Sequence, residues 1–132
     1  MSGSRILILG DFMRILYKED MPEAKIKVKG LTGEIEYDAY LDTGAFKCLI
    51  PETDATKIGL SYAGDIEIIT GSGKDHIKLY KATITFLNKE FSVLVLGKDF
   101  PEQAIVRAIV GRDILDKYRV CFDGVRKEIE IT

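Results

Sequence analysis

The chain is poor in the residues that build metal centres. It has one histidine, His76, and two cysteines, Cys48 and Cys121, far apart in sequence. No Cys-x-x-Cys pair occurs, so the donor count argues against a structural zinc site, and neither metal nor cofactor is expected. Both cysteines read as reduced core residues, the commonest place for a free thiol. Long apolar runs are also missing. The longest resemble Phe91-Ser92-Val93-Leu94-Val95-Leu96, far short of the ~18 residues a membrane-spanning helix needs. Neither sign of charge dominates: the net charge is −2, and no basic patch is interleaved with aromatics. Nucleic acid and membrane are therefore not expected partners. Met1-Ser2-Gly3-Ser4-Arg5 leads into only four apolar residues before Gly10-Asp11, which is no secretory signal, so a cytoplasmic location is expected. Hydrophobic residues still make up 46% of the 132 residues, enough for the core of one domain with a short appendage.

From Ala24 onward the pattern has mostly period two. Lys25-Ile26-Lys27-Val28-Lys29 alternates cleanly and predicts a half-exposed strand. Gly30 to Gly33 reads as a turn, and Glu34 to Leu41 resumes the alternation and delivers Asp42 to a strand end. Pro51-Glu52 opens a short helix to Ile58, closed by Gly59. Gly64 to Ile69 and Ile77 to Phe86 form a long hairpin around a glycine-containing turn from Thr70 to Asp75. Asn88-Lys89 turns the chain into a strand from Phe91 to Leu96. Ile105 to Val110 predicts a buried strand and Arg112 to Lys117 a helical turn. Arg119 to Phe122 and Arg126 to Ile131 predict a closing hairpin about Asp123-Gly124. Short strands at this spacing predict an all-β sandwich or barrel. Residues 1–23 differ: Ile6, Leu9, Met13, Leu16 and Tyr17 have rough helical spacing, while Ile6-Leu7-Ile8-Leu9 equally suits a strand. They are expected to extend a domain spanning 24–132, either as a packing element at its edge or as an interface or gating arm.

The segment with chemical content is Leu41-Asp42-Thr43-Gly44-Ala45. Alone, the triplet Asp42-Thr43-Gly44 reads as an ordinary turn, since Asp and Gly are common turn formers. Its surroundings add weight. It ends an alternating strand and runs into Leu49-Ile50-Pro51. A glycine-tipped hairpin follows roughly 30 residues later, and Ile109-Val110-Gly111-Arg112-Asp113-Ile114-Leu115 about 70 residues later. Peptide hydrolysis without metal, Ser or Cys needs two neighbouring carboxylates sharing one proton, one as base and one as acid. The triplet occurs once, so that chemistry requires two copies of the chain.

In this order the features resemble the retropepsins, the retroviral-type aspartic proteases, over about Ala24 to Thr132. The resemblance implies an all-β, closed-barrel-like retropepsin (acid protease) fold with two short helices, a flap hairpin and one lobe per chain. It implies that Asp42 is the catalytic carboxylate. Thr43, Gly44 and Ala45 would complete the active-site loop, the Thr43 hydroxyl bonding across a dimer. Thr70, Gly71, Ser72 and Gly73 would form the flap tip over substrate. Gly111, Arg112 and Asp113 would brace the loop, Arg112 through a salt bridge that suits its planar guanidinium. Ala45 removes a hydroxyl donor from beside the carboxylates, which implies an optimum less acidic than in pepsin-like enzymes, about pH 5–6. Some features depart from the pattern. Phe46 stands where retroviral enzymes often have an acid or hydroxyl residue. Lys74, Asp75 and His76 make the hairpin tip more polar, and His76 reads as surface there. The N-terminal extension and the longer C-terminal hairpin have no counterpart in the minimal viral form. The dimer interface is thus expected to differ, with Arg126 to Ile131 as its candidate. These departures point to a cellular, prokaryotic or archaeal relative rather than a viral one.

Three functions fit the sequence. The first is a homodimeric aspartic endopeptidase acting on extended peptides or unfolded protein. The alternative is a non-catalytic peptide- or protein-binding module of the same fold, against which the intact triplet argues. The third is an unrelated small barrel with a chance triplet, which would be monomeric and indifferent to loss of Asp42.

Overall fold

The computed structural model describes residues 6–9, 12–101 and 104–132. The strands are β1 (Ile6–Leu9), β2 (Phe12–Leu16), β3 (Glu23–Lys29), β4 (Glu34–Leu41), β5 (Leu49–Ile50), β6 (Ser61–Thr70), β7 (Gly73–Phe86), β8 (Lys89–Gly97), β9 (Ile109–Val110), β10 (Val120–Asp123) and β11 (Glu128–Ile131). The helices are α1 (Glu52–Lys57) and α2 (Arg112–Leu115). Period-two alternation becomes burial directly. Ala24, Ile26 and Val28 of β3 and Ala39 and Leu41 of β4 face the core, while Lys25 and Lys29 stay exposed.

Strand pairing runs β3-β4-β9-β5-β8-β7, and β7 returns to β3 through Ile26–Lys29 against Thr83–Phe86. That last pairing closes a six-stranded barrel. Closure gives every strand in the ring a paired neighbour on both sides, and Ile26, Val28, Ile84, Phe86, Val95 and Val110 fill the interior. The fold is therefore all-β, a closed barrel with two short helices, as expected. β6 extends beyond the ring, paired along β7 as one arm of a long hairpin.

A second sheet, ordered β1-β2-β11-β10, covers the barrel. It decides the open choice at the N-terminus in favour of strands. β2 finds a ready ladder on β11, with Ile15 opposite Ile129, and these two residues and Ile131 are buried together. On the outer face Arg14 lies 3.1 Å from Glu128 and 3.7 Å from Glu130.

Several elements differ from the sequence reading. The hairpin turn is only Gly71-Ser72, because β6 and β7 stay paired to Thr70 and Gly73. The next turn is Leu87-Asn88 rather than Asn88-Lys89; both residues have positive φ (51° and 65°), as a two-residue hairpin turn of this hand requires. The buried strand expected from Ile105 is confined to Ile109 and Val110. β9 is wedged between β4 and β5 and pairs over only those two residues, and Ile105 is 76% exposed. Cys121 is exposed rather than buried. Among the described residues, no helix is long and apolar enough to cross a membrane.

Phe86 tests the barrel's closure. It is fully buried on the β7 segment that meets β3, with its ring edge-on to Tyr118 at 5.6 Å. Phe86→Ala should lower unfolding free energy by about 3–5 kcal/mol in urea titration. A loss under about 1 kcal/mol would mean that the closing strand does not depend on this side chain.

Candidate active site

Asp42 follows β4 directly. Alternation sends Ala39 and Leu41 into the core, and the Asp42 N–H donates to the Val110 carbonyl at 3.0 Å. The chain then reverses in a tight turn. Ala45 N–H donates to the Asp42 carbonyl at 3.2 Å, and Gly44 N–H donates to Asp42 Oδ1 at 2.8 Å. This is the aspartate turn that the sequence alone suggested. A Cβ at Gly44 would lie 3.1 Å from Oδ1, tight against the carboxylate it holds. Asp42 is half-buried, and Thr43 and Gly44 are exposed. No other described group bonds the Asp42 carboxylate, and none bonds the Thr43 hydroxyl.

The floor beneath this turn is closely packed. Gly111 packs so closely on the loop that a Cβ there would meet the Lys47 carbonyl carbon and oxygen at 2.6 Å and the Ala45 oxygen at 2.9 Å. On one side of Gly111, Val110 accepts from Asp42. On the other, Arg112 N–H donates to the Ala45 carbonyl at 2.8 Å. Asp113 completes the clamp: its carboxylate accepts from Cys48 N–H at 3.1 Å, from the Cys48 thiol at 3.2 Å and from Ile114 N–H at 3.0 Å. The Arg112 guanidinium takes a different place from the one expected. It is exposed and forms no ion pair among the described residues, so bracing here comes from the Arg112 main chain and the Asp113 side chain. The resemblance implied that Asp113 helps to brace the loop but gave it no partner, because nothing local signals one 65 residues away. Burial, followed by the Asp113 charge, pushes the Cys48 thiol upward, so it stays protonated and donates.

A hollow of about 280 Å³ opens beside the turn, walled by Tyr17, Tyr40, Asp42, Thr43 and Phe122. A larger groove of about 600 Å³ lies elsewhere, on the outer face of β7 and β8, and Glu90 is the one acid among the described residues that line it. Gly71, Ser72 and Gly73 lie at the far tip of the β6–β7 hairpin, which Thr70 enters; Gly73 has φ of +118°. His76 is exposed and sits 3.8 Å from Glu67 on the hairpin. Among the described residues, no group of three or more His, Cys, Asp or Glu is placed to hold a metal ion.

No protein-family model matches the sequence, and no curated protein does. Solved structures do match the fold. The EIAV protease in complex with the inhibitor HBY-793 is 20% identical, with a TM-score of 0.58 over 75% of this chain and 88% of that one. A retropepsin-like aspartic protease from Rickettsia conorii is 17% identical, with a TM-score of 0.55 over 91% of this chain and 89% of that one. The simian foamy virus (mac) protease is 14% identical, with a TM-score of 0.50 over 70% and 92%. The chain has a retropepsin-like fold.

Two measurements probe the floor. Gly111→Ala forces backbone against backbone and should destabilise by at least about 2 kcal/mol in urea unfolding; a neutral result would show that the two segments can separate. Iodoacetamide should label Cys121 alone in the native chain and reach Cys48 only after denaturation, read by intact mass. Rapid native labelling of Cys48 would contradict its place behind Asp113.

Proposed function

We propose that this protein is a homodimeric aspartic endopeptidase whose two Asp42 carboxylates, one from each chain, activate a water molecule. The observation that carries this reading is the state of the Asp42 turn. Its backbone is clamped on both sides of Gly111, yet its carboxylate keeps a single partner, Gly44 N–H, beside an open hollow. The retropepsin-like fold and the intact Asp42-Thr43-Gly44 triplet support the same conclusion.

In the proposed reaction one carboxylate takes a proton from water as the water oxygen attacks the peptide carbonyl carbon. The other carboxylate, protonated, gives its proton to the carbonyl oxygen. Collapse of the tetrahedral adduct returns a proton to the departing nitrogen. Two acids this close hold one proton between them, so the pair titrates as a unit. The Thr43 hydroxyl, without a partner among the described residues, would bond the partner's loop and hold the carboxylates in register. Substrate would lie extended between the Asp42 turn and the β6–β7 hairpin, adding a strand through main-chain bonds. Thr70, Gly71, Ser72 and Gly73 would then act as the flap tip. Exposed Ile69 on the hairpin and Phe46 beside the triplet favour apolar substrate side chains.

The test is peptide cleavage from about pH 3 to about pH 8 at several enzyme concentrations. Cleavage should peak near about pH 5–6 and rise faster than linearly with dilute enzyme. Asp42→Asn should lower turnover by about 10³-fold or more while leaving association intact. A mutant that cleaves like the wild type would end the proposal. A wild type that binds peptides without cleaving them would leave a binding module of the same fold.

A further inference from the structure

The sequence pointed to Arg126–Ile131 as the surface for a second chain, but β11 is an inner strand. β2 holds one of its edges and β10 the other. A strand with both ladders filled has no backbone groups left to offer. The free edge is β10. Arg119 and Thr132 exchange two backbone hydrogen bonds of 2.9 Å. Antiparallel alternation then turns the N–H and C=O of Cys121 and Asp123 toward β11 and those of Val120 and Phe122 away from it. Among the described residues no strand pairs with β10 on that side. Phe122 also walls the hollow that contains Asp42 and Thr43, so the unpaired edge adjoins the half-built site.

We infer that a second copy of the chain docks on this edge, β10 pairing antiparallel with the partner's β10 about a twofold axis at Cys121. The choice of partner rests on the reading of Asp42 as half of a shared site. The register follows from the hydrogen bonds available. Centring the pair on Cys121 sets Val120 against the partner's Phe122 on both sides of the axis and satisfies all the outward groups of these residues, about four hydrogen bonds. Centring it on Val120 would call on Tyr118, whose N–H already bonds the Leu115 carbonyl. Centring it on Phe122 would call on Gly124, which lies in the turn between β10 and β11. In the favoured register Cys121 faces its own copy at a non-hydrogen-bonded position. The Cα separation there, about 4.5 Å, is one a disulfide can span. Cys121 is exposed, opposite Glu130 on the outer face of the sheet. Each chain keeps its own four-stranded sheet, and the two join edge to edge without exchanging a terminal strand.

The experiment is mild oxidation of the native chain with diamide, which takes up two hydrogens as two thiols join. A covalent dimer should form at about micromolar protein, read by intact mass, and disappear in Cys121→Ser. Moving the thiol one step along the outer face, as Arg119→Cys in the Cys121→Ser background, sets it opposite the partner's Asp123 and should abolish self-linking. Cys121→Lys keeps an opposite-charge pair with Glu130 within the chain but sets two ammonium groups face to face across the axis. Its dimer, measured by sedimentation, should weaken by ~10-fold or more with the circular dichroism spectrum unchanged. Equal self-linking from Arg119→Cys, a Cys121→Lys dimer as tight as wild type, or a wild type monomeric at about 100 µM would each overturn the interface. Asp42→Asn separates this inference from the catalytic one. If the chain links through Cys121 but wild type cleaves nothing, the interface stands and the catalytic reading fails. If a cleaving dimer neither links through Cys121 nor responds to lysine there, the catalytic reading stands and the interface fails.

Discussion

The contact on which the rest of the architecture depends is the approach of Gly111 to the backbone of Ala45–Lys47. No side chain fits between these segments, since a Cβ at Gly111 would sit 2.6 Å from the Lys47 carbonyl. The backbones meet there because hydrogen bonds on either side draw them together, Asp42 N–H to Val110 and Arg112 N–H to Ala45. β5 and β9, each two residues long, flank this junction on its two sides. β9 runs parallel to β4 and antiparallel to β5, and β5 runs parallel to β8, so the short strands complete the barrel wall. The Asp42 position is therefore tied to the closure of the barrel.

Asp113 gives this junction its polar half. Burying the start of β5 leaves the Cys48 N–H and thiol without water, and a buried donor with no acceptor is expensive. One carboxylate accepts both and its own helix N–H as well. Cys48 thus has a structural duty in the floor, whereas Cys121, on an exposed sheet face, has none inside the chain. The sequence treats the two cysteines alike. They part because Cys48 lies where two segments cross, while Cys121 points away from the core on a strand whose buried neighbour positions are filled from β11.

This contrast marks what could be read in the chain before folding. Strands with clean alternation, Lys25–Lys29 and Glu34–Leu41, were legible because a period of two carries its own burial instruction. The Asp42 turn was legible because Asp and Gly shape it locally. Elements defined by distant partners were not. Ile105–Val110 has strand composition, but pairing with β4 and β5 reaches only Ile109 and Val110. The N-terminal apolar residues fit a helix or a strand until β11 supplies a ladder. Arg112 carries the conspicuous charge of its block, yet its backbone and the side chain of its neighbour make the contacts. Local chemistry announces turns and alternation; it does not announce which of two adjacent polar residues will meet a loop 65 positions away.

The same reasoning bears on why the candidate site should be incomplete in one chain. A carboxylate cannot serve as base and acid in the same step, and the chain carries the Asp-Thr-Gly turn once. Within the chain the turn is held by its own hydrogen bonds: Asp42 N–H to Val110, Gly44 N–H and Ala45 N–H back to Asp42, and Arg112 N–H to Ala45. Among the described residues the Asp42 carboxylate has no partner beyond Gly44 N–H, and the Thr43 hydroxyl has none. Nearby, β10 shows the same condition, with one edge bonded to β11 and the other open. Open polar groups at two adjacent places on a well-packed barrel suit the proposed partner, which would fill both. In the proposed dimer a twofold-related copy would do so, since each group would meet its own kind: carboxylate beside carboxylate to share a proton, hydroxyl beside the opposite loop, and edge strand beside edge strand.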